Sequence, residues 1–169
     1  EYKHLNLGDA QNLNPATHGG THFAWSPTQG LSCADCASPL SSPHESTRYH
    51  LLVSNELGCT AEDAVWVFVD KNCRVFVPNV FSPNGDGFND VFFPFAAPCV
   101  AVVRAFLVFD RWGGLVFSQS NFMPGDPHFG WDGTRNGKAM GAGVFVWKMQ
   151  VEQVDGQVEN RVGEVTLMR

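Results

Sequence analysis

Charged side chains are sparse in this sequence: Asp, Glu, Lys and Arg make up 17% of 169 residues, against about a quarter in a typical soluble domain. That sparseness excludes a disordered acidic tail, a coiled coil and a highly charged nucleic-acid binder. The formal net charge is −6, so a nucleic-acid backbone is repelled on average and no nucleic-acid partner is expected. No apolar run approaches the ~18–20 residues a membrane helix needs, so no membrane insertion is expected either. Cysteine numbers five, too few for a disulfide-stapled miniprotein and many for a cytosolic β domain. An odd count leaves at least one thiol free or paired outside the chain. There is no H-E-x-x-H, no G-x-S-x-G and no phosphate-binding G-x-x-x-x-G-K-[ST], so no enzyme is expected. His18 and His22 have i, i+4 spacing, but Gly19-Gly20 between them argues against a helix that would align them. The chain begins at Glu1 with no Met and no signal sequence, which reads as a mature product or a fragment.

What the chain does have is 17 glycines, 10 prolines and 14 phenylalanines. Turn formers with aromatics, and no window of amphipathic 3.6-residue period, point to an all-β chain of many short strands. Composition divides it near Cys73. Residues 1–72 carry 3 basic and 8 acidic side chains with much Ser, Thr, His and Asn; residues 73–169 carry 8 and 9 and are rich in Phe, Val and Gly. The linker Asp70-Lys71-Asn72 is short, so two stacked domains, 1–72 and 73–169, are expected. In the first, Leu5-Asn6-Leu7, His22 to Trp25, Arg48 to Ser54 and Ala64 to Val69 read as strands of a small sandwich, the last two joined as a hairpin through Asn55-Glu56-Leu57-Gly58. In the second, Arg74 to Phe81 and Val102 to Phe109 read as strands. Val144 to Val154 alternates, with Phe145, Trp147, Met149 and Val151 on one face. Asp155-Gly156 reads as a type I′-style turn into a last strand, Arg161 to Arg169.

The second segment also carries ordered blocks. Val77-Pro78-Asn79-Val80-Phe81-Ser82-Pro83-Asn84-Gly85-Asp86-Gly87-Phe88-Asn89-Asp90 precedes Phe109-Asp110-Arg111-Trp112-Gly113. Then come Gly130-Trp131-Asp132-Gly133, Gly143-Val144-Phe145-Val146 and Gly163-Glu164-Val165-Thr166-Leu167-Met168-Arg169. Together these closely resemble the gliding-motility-associated C-terminal domain of Bacteroidetes, the type B sorting domain of the type IX secretion system, over roughly Cys73 to Arg169. In the first segment Trp25-Ser26-Pro27, Gly30-Leu31-Ser32-Cys33, Pro43, Tyr49 and Gly58-Cys59 resemble the Ig-like or PKD-like repeats that often precede that domain. The resemblance implies two small β-sandwich (Ig-like) domains in tandem. It also implies export through the outer membrane by a C-terminal folded signal, ending at the cell surface or released. The implied partners are the type IX machinery and an SprF-like outer-membrane protein, and the implied activity lies in an upstream adhesin, motility component or enzyme.

Several residues stand out as candidates for chemistry. Asn84, Asp86, Asn89 and Asp90 gather two carboxylates and two carboxamides in a glycine-rich loop, the donor type of a structural Ca²⁺ site. The plain alternative is a tight turn, since Asn, Asp and Gly all favour Asx and left-handed conformations. Ser82 stands where a first Asp would be, and no Glu occupies the twelfth position. Asp110, Arg111, Trp112 and Gly113 read either as an export-recognition patch with Arg111 stacked on Trp112, or as a strand-end turn with Arg111 paired to a carboxylate such as Asp132 and Trp112 packed on the core. Cys73 and Cys99 bracket the Asn84–Asp90 loop and are expected to pair. Among Cys33, Cys36 and Cys59 every pairing is open, Cys33–Cys36 is preferred, and a zinc site at Cys33-x-x-Cys36 lacks matched ligands. Val165 and Leu167 on one face of the last strand, with Arg169 at its end, either present an edge for strand addition to a partner or complete the sandwich. Two rival functions remain: a carbohydrate- or protein-binding sandwich with exposed aromatics, contacting cell-surface glycans or other surface proteins, and a filament subunit linked through Cys59. Burial of Trp25, Trp66, Trp112, Trp131 and Trp147 favours sorting, and three coplanar exposed rings favour binding.

Overall fold

The computed structural model describes residues 1–16 and 19–169, so the His18–His22 spacing lies outside the described residues. The chain forms two compact units, Glu1–Asn72 and Cys73–Arg169. Both are made of strands, and the one helical segment among the described residues is a 3-10 turn at Pro127–Phe129. No described helix is long and apolar enough to cross a membrane.

The first unit has six strands: β1 (Tyr2–Asn6), β2 (Gln11–Asn12), β3 (His22–Ser26), β4 (Leu40–Ser41), β5 (Thr47–Ser54) and β6 (Thr60–Asp70). Its main sheet runs β1-β6-β5-β3, with β1 parallel to β6 and the other pairs antiparallel. Alternation sends Trp25, Tyr49, Leu51, Val65 and Val67 inward, where they pack with Leu13 into one core. The small β2–β4 pair carries Leu13 into place, its amide bonded to the Pro39 carbonyl at 2.9 Å. The β5–β6 hairpin closes because Asn55 Oδ1 accepts the amides of Leu57 and Cys59, an Asx-type turn.

The second unit has nine strands: β7 (Val75–Phe76), β8 (Val80–Phe81), β9 (Phe95–Ala96), β10 (Val100–Phe109), β11 (Leu115–Gln119), β12 (Thr134–Arg135), β13 (Lys138–Ala139), β14 (Gly143–Gln153) and β15 (Val158–Leu167). The large sheet has the order β11-β10-β14-β15-β8, all antiparallel except the β15–β8 pair. Its inner face buries Phe106, Val108, Phe145, Trp147, Met149, Val151, Val165 and Leu167. An aromatic layer covers it: Phe81 lies 5.3 Å from Trp131, Trp131 4.8 Å from Phe145, and Phe92 5.4 Å from Phe106, centroid to centroid. The Trp131 indole N–H donates to the Thr134 carbonyl at 2.7 Å, so the largest buried side chain keeps no unpaired polar atom.

Two local expectations need correction. Arg74 to Phe81 is not one strand: it breaks around Pro78 into β7, which pairs with β9, and β8, which joins the large sheet. Proline lacks the amide that a continuous ladder would need. Asp155-Gly156 is not a type I′ turn, because Gly156 has positive φ and Asp155 does not. The turn of that type sits at Asn136-Gly137, with φ of 53° and 74°, joining β12 to β13.

Candidate functional site

At the β10–β11 hairpin the Asp110 carboxylate builds the turn. One of its oxygens accepts the amides of Trp112 at 2.9 Å and Gly114 at 2.8 Å. The Asp110 amide in turn donates to the Gly114 carbonyl at 2.9 Å. The other carboxylate oxygen faces Arg135 of the β12–β13 hairpin at 3.9 Å. With its acid committed inside the turn, the tip projects what remains. Trp112 is 79% exposed, and the Arg111 guanidinium carbon sits 4.7 Å from its ring centroid, a cation–π stack in water. The alternative of Trp112 on the core does not hold, because the ring is exposed beneath Arg111, while Asp132 accepts the amide and hydroxyl of Thr134 in its own turn.

The tip adjoins an apolar sheet face. Phe109 stands opposite Leu115 on one side and Val146 on the other, and Leu107 stands opposite Lys148, which stands opposite Val162. Leu115, Val144 and Val162 are exposed, and the Lys148 ammonium reaches over the Phe109 ring at 5.7 Å. Sequence reading missed this face and Arg135. Its signal was the set of apolar residues on both parities of β10 and β14, where a solvated sheet shows only one.

The last strand divides its candidate residues. Val165 and Leu167 are buried and complete the core, and β15 lies between β14 and β8 at Thr166 and Leu167. These two residues are therefore not presented at an edge. Arg169 bonds the carbonyls of Met140 at 2.7 Å and Gly133 at 3.1 Å, which clamps the chain end to the turns around β12 and β13.

The Asn84–Asp90 loop closes on itself. Asp90 accepts the amides of Gly85 at 2.7 Å and Gly87 at 2.8 Å, one on each oxygen. Those backbone bonds, Gly85 first, hold its carboxyl below the ordinary aspartate range. Asp86 accepts from the Phe88 amide and the Asn84 carboxamide, and Asn84 Oδ1 accepts the Asp86 amide. Asn89 sits in the left-handed region at φ 52°. The loop's carboxylates thus already serve its own N–H groups, and among the described residues no group of three or more His, Cys, Asp or Glu is gathered to hold a metal. The loop's side-chain oxygens bond its own N–H groups, the arrangement of a self-closed turn.

Cys73 is joined to Cys99 with Cα atoms 5.7 Å apart, and Cys33 to Cys36 at 5.8 Å; Cys59 is free and exposed. Of the five tryptophans, Trp25, Trp131 and Trp147 are buried, while Trp66 and Trp112 are exposed and lie in different units. Trp66 joins a row on the outer face of the first unit's sheet. Its ring stacks on Phe68 at 5.5 Å, Phe68 on His4 at 5.3 Å, and His4 meets Tyr2 edge-on at 5.9 Å.

Residues 75–167 match the CHU_C type IX secretion signal domain family. No curated protein sequence matches the chain. Among solved structures the chain aligns with the immunoglobulin domains 1–5 of Sidekick-1 at 12% identity and a TM-score of 0.49, covering 98% of this chain and 37% of that one. It aligns with dimeric latent PorU from Porphyromonas gingivalis at 12% identity and a TM-score of 0.38, covering 98% and 19%. It also aligns with the fibronectin(III)-like modules of CbhA from Clostridium thermocellum at 13% and 0.30, covering 98% and 88%. The chain spans well under half the length of the first two, and at these TM-scores none of the three bears on function.

Proposed function

Over residues 75–167 this chain belongs to the CHU_C type IX secretion signal domain family, a signal for export across the outer membrane, and we propose that the second unit is the folded, non-enzymatic signal itself. In this reading the export machinery grips the Arg111–Trp112 tip together with the apolar face of Leu107, Phe109, Leu115, Val146 and Val162. The observation that carries it is the 79% exposure of Trp112 on a turn that Asp110 holds rigid. A bulky indole held in water on a fixed turn lowers no core energy, and tryptophan and arginine are both enriched among anchors of binding energy. An SprF-like outer-membrane protein is the partner proposed for this surface, and the first unit is proposed as a spacer ahead of it.

The test attaches residues 1–169 to a fluorescent reporter behind an ordinary export leader, in a bacterium with an intact or a disabled type IX system. The reporter is expected outside the intact cells and inside the periplasm of the disabled ones. Trp112→Ala is expected to lower export about thirtyfold with folding unchanged, since loss of a central anchor costs ~2 kcal/mol or more. Equal retention in both strains, with the fusion folded, overturns the reading.

One observation favours a second role. The exposed row Trp66, Phe68, His4 and Tyr2 gives the first unit an aromatic surface beyond what a spacer needs. We propose it as a contact for surface glycans or neighbouring surface proteins, tested by glycan-array binding of the chain with and without Trp66→Ala.

A further inference from the structure

The last strand of the second unit is covered on one side only. β15 pairs with β14 from Val158 to Leu167 with no shift of register, but with β8 at Thr166 and Leu167 alone. On that second side the Thr166 amide donates to the Asn79 carbonyl and the Met168 amide to the Phe81 carbonyl, both at 2.9 Å. Backbone groups alternate sides along a strand, so the even-numbered residues of β15 aim N–H and C=O away from β14. Continuing the parallel register backward would set Pro78 beside Glu164 and Phe76 beside Val162. The groups that would meet Glu164 there are the Val77 carbonyl and the Asn79 amide, but the chain has already left the ladder: Val75–Phe76 have turned to pair with Phe95–Ala96. Arg161 spans the gap with its side chain instead, donating to Val75 O at 3.3 Å and Cys73 O at 3.0 Å.

This leaves a row of backbone groups without a partner among the described residues: N–H and C=O of Asn160 and of Val162, and N–H of Glu164. The Glu164 carbonyl is taken by the Trp147 indole N–H at 3.3 Å. The edge carries no proline, bulge or lysine, and its one inward-facing charge, Arg161, is bonded to the Val75 and Cys73 carbonyls. Val162 beside it is 66% exposed. Unpaired groups at strand spacing are satisfied together by one kind of ligand, another extended backbone.

We propose that the Asn160–Glu164 edge of β15 is a docking strand for an extended segment of a partner protein, which adds to the large sheet beside Val162 and brings a basic side chain to Glu164. Charge decides the occupant. Glu164 is exposed and has no cation partner among the described residues, whereas Glu159 is paired with Arg161 at 3.0 Å. A second copy would offer β15 itself, whose only base is that committed Arg161, so it brings no free cation to the edge. The inference stands on the strand geometry and holds whatever reads the Arg111–Trp112 tip.

The test is amide hydrogen exchange on the full ¹⁵N-labelled chain, with a blocked peptide Lys-Val-Thr-Val-Lys-Val as the probe. In the dilute free chain the amides of Asn160, Val162 and Glu164 are expected to exchange on the order of 100-fold faster than those of Arg161 and Gly163. The peptide is expected to slow those three amides, and the same peptide with Glu for Lys to slow them less. Val162→Pro removes an amide that bonds nothing in the chain, so it is expected to leave β14–β15 protection intact and abolish the peptide effect. Glu164→Lys, which touches no buried group, is expected to reverse the preference between the two peptides. The proposal is overturned by even-numbered amides as protected as their neighbours in the dilute chain, by no slowing at millimolar peptide, or by equal slowing with the acidic peptide. Protection that grows with chain concentration alone overturns it in favour of a second copy.

Discussion

Asp90 shows how one carboxylate can look like a ligand and work as a turn. Each of its oxygens accepts a backbone amide, from Gly85 and from Gly87, and these bonds favour the charged form. Its native pKa therefore lies below that of an aspartate in the unfolded chain. A group depressed in this way contributes its stability in full above the unfolded pKa and loses it as pH falls through the native one. An NMR titration is expected to show the Asp90 carboxyl and the Gly85 and Gly87 amides moving together, at lower pH than an aspartate in a short peptide. Calcium at about 5 mM, above the ~0.1–1 mM range of weak extracellular sites, is expected to leave those amides where they are. An Asp90 that titrates with the free peptide, or amides that follow calcium to saturation, refutes this account. The chemistry of the loop was legible as an Asn, Asp and Gly cluster. Which function that chemistry serves was not, because a turn and a cation recruit the same oxygens and only the direction of the N–H groups separates them.

At the scale of elements, β14 and β15 depend on a contact that no pattern of apolar residues announces. Trp147 lays its indole across Gly163 on the neighbouring strand, where a Cβ would meet the ring at 2.5 Å, and its N–H reaches the Glu164 carbonyl. Gly163→Val forces that ring out of the core and leaves its N–H unpaired. The expected loss is about 2–4 kcal/mol of stability, from overpacking together with a broken buried hydrogen bond, read as a fall in urea midpoint. Gly163→Val at wild-type stability would show that the ring moves freely. Strand β14 was readable from its alternation, because side chains that swap faces at every residue fit a pleated strand and no helix, and β10 from its short apolar run. Shorter pieces were not: Pro78 was in plain view, yet Arg74 to Phe81 read as one strand because β-forming residues flank it on both sides. The Asn136-Gly137 hairpin carried a strong short turn signal, but its two-residue arms have no alternation to frame it. The exposure of Trp112 was one of two open readings, since tryptophan's average burial points to the core and only the turn geometry of Asp110 overrides it.

Taken as a molecule, the chain sets two units of unequal reinforcement in series. The first, Glu1–Asn72, has a core of six buried residues around Tyr49 and Trp25, and its disulfide spans a separation of only 3. The second, Cys73–Arg169, has the larger aromatic core and a disulfide spanning 26. In the chain-entropy picture closing the short loop stabilises by about 2 kcal/mol and closing the long one by about 3.5 kcal/mol. A domain that works outside the cytosol gains from the second kind of cross-link, because oxidation there restricts its unfolded state where no chaperone renews it. Calorimetry of the intact chain is expected to resolve two transitions, the lower from the first unit, where fewer buried side chains oppose chain entropy. Reduction with phosphine is expected to lower both transitions, the upper one by more, on the order of 15 °C for a domain of this size. Cys73→Ser with Cys99→Ser should reproduce the shift of the upper transition alone and leave the lower in place. A single transition that the double substitution moves as a whole would instead mean that the two units melt as one cooperative body, and the signal unit could not then be treated as stable in its own right.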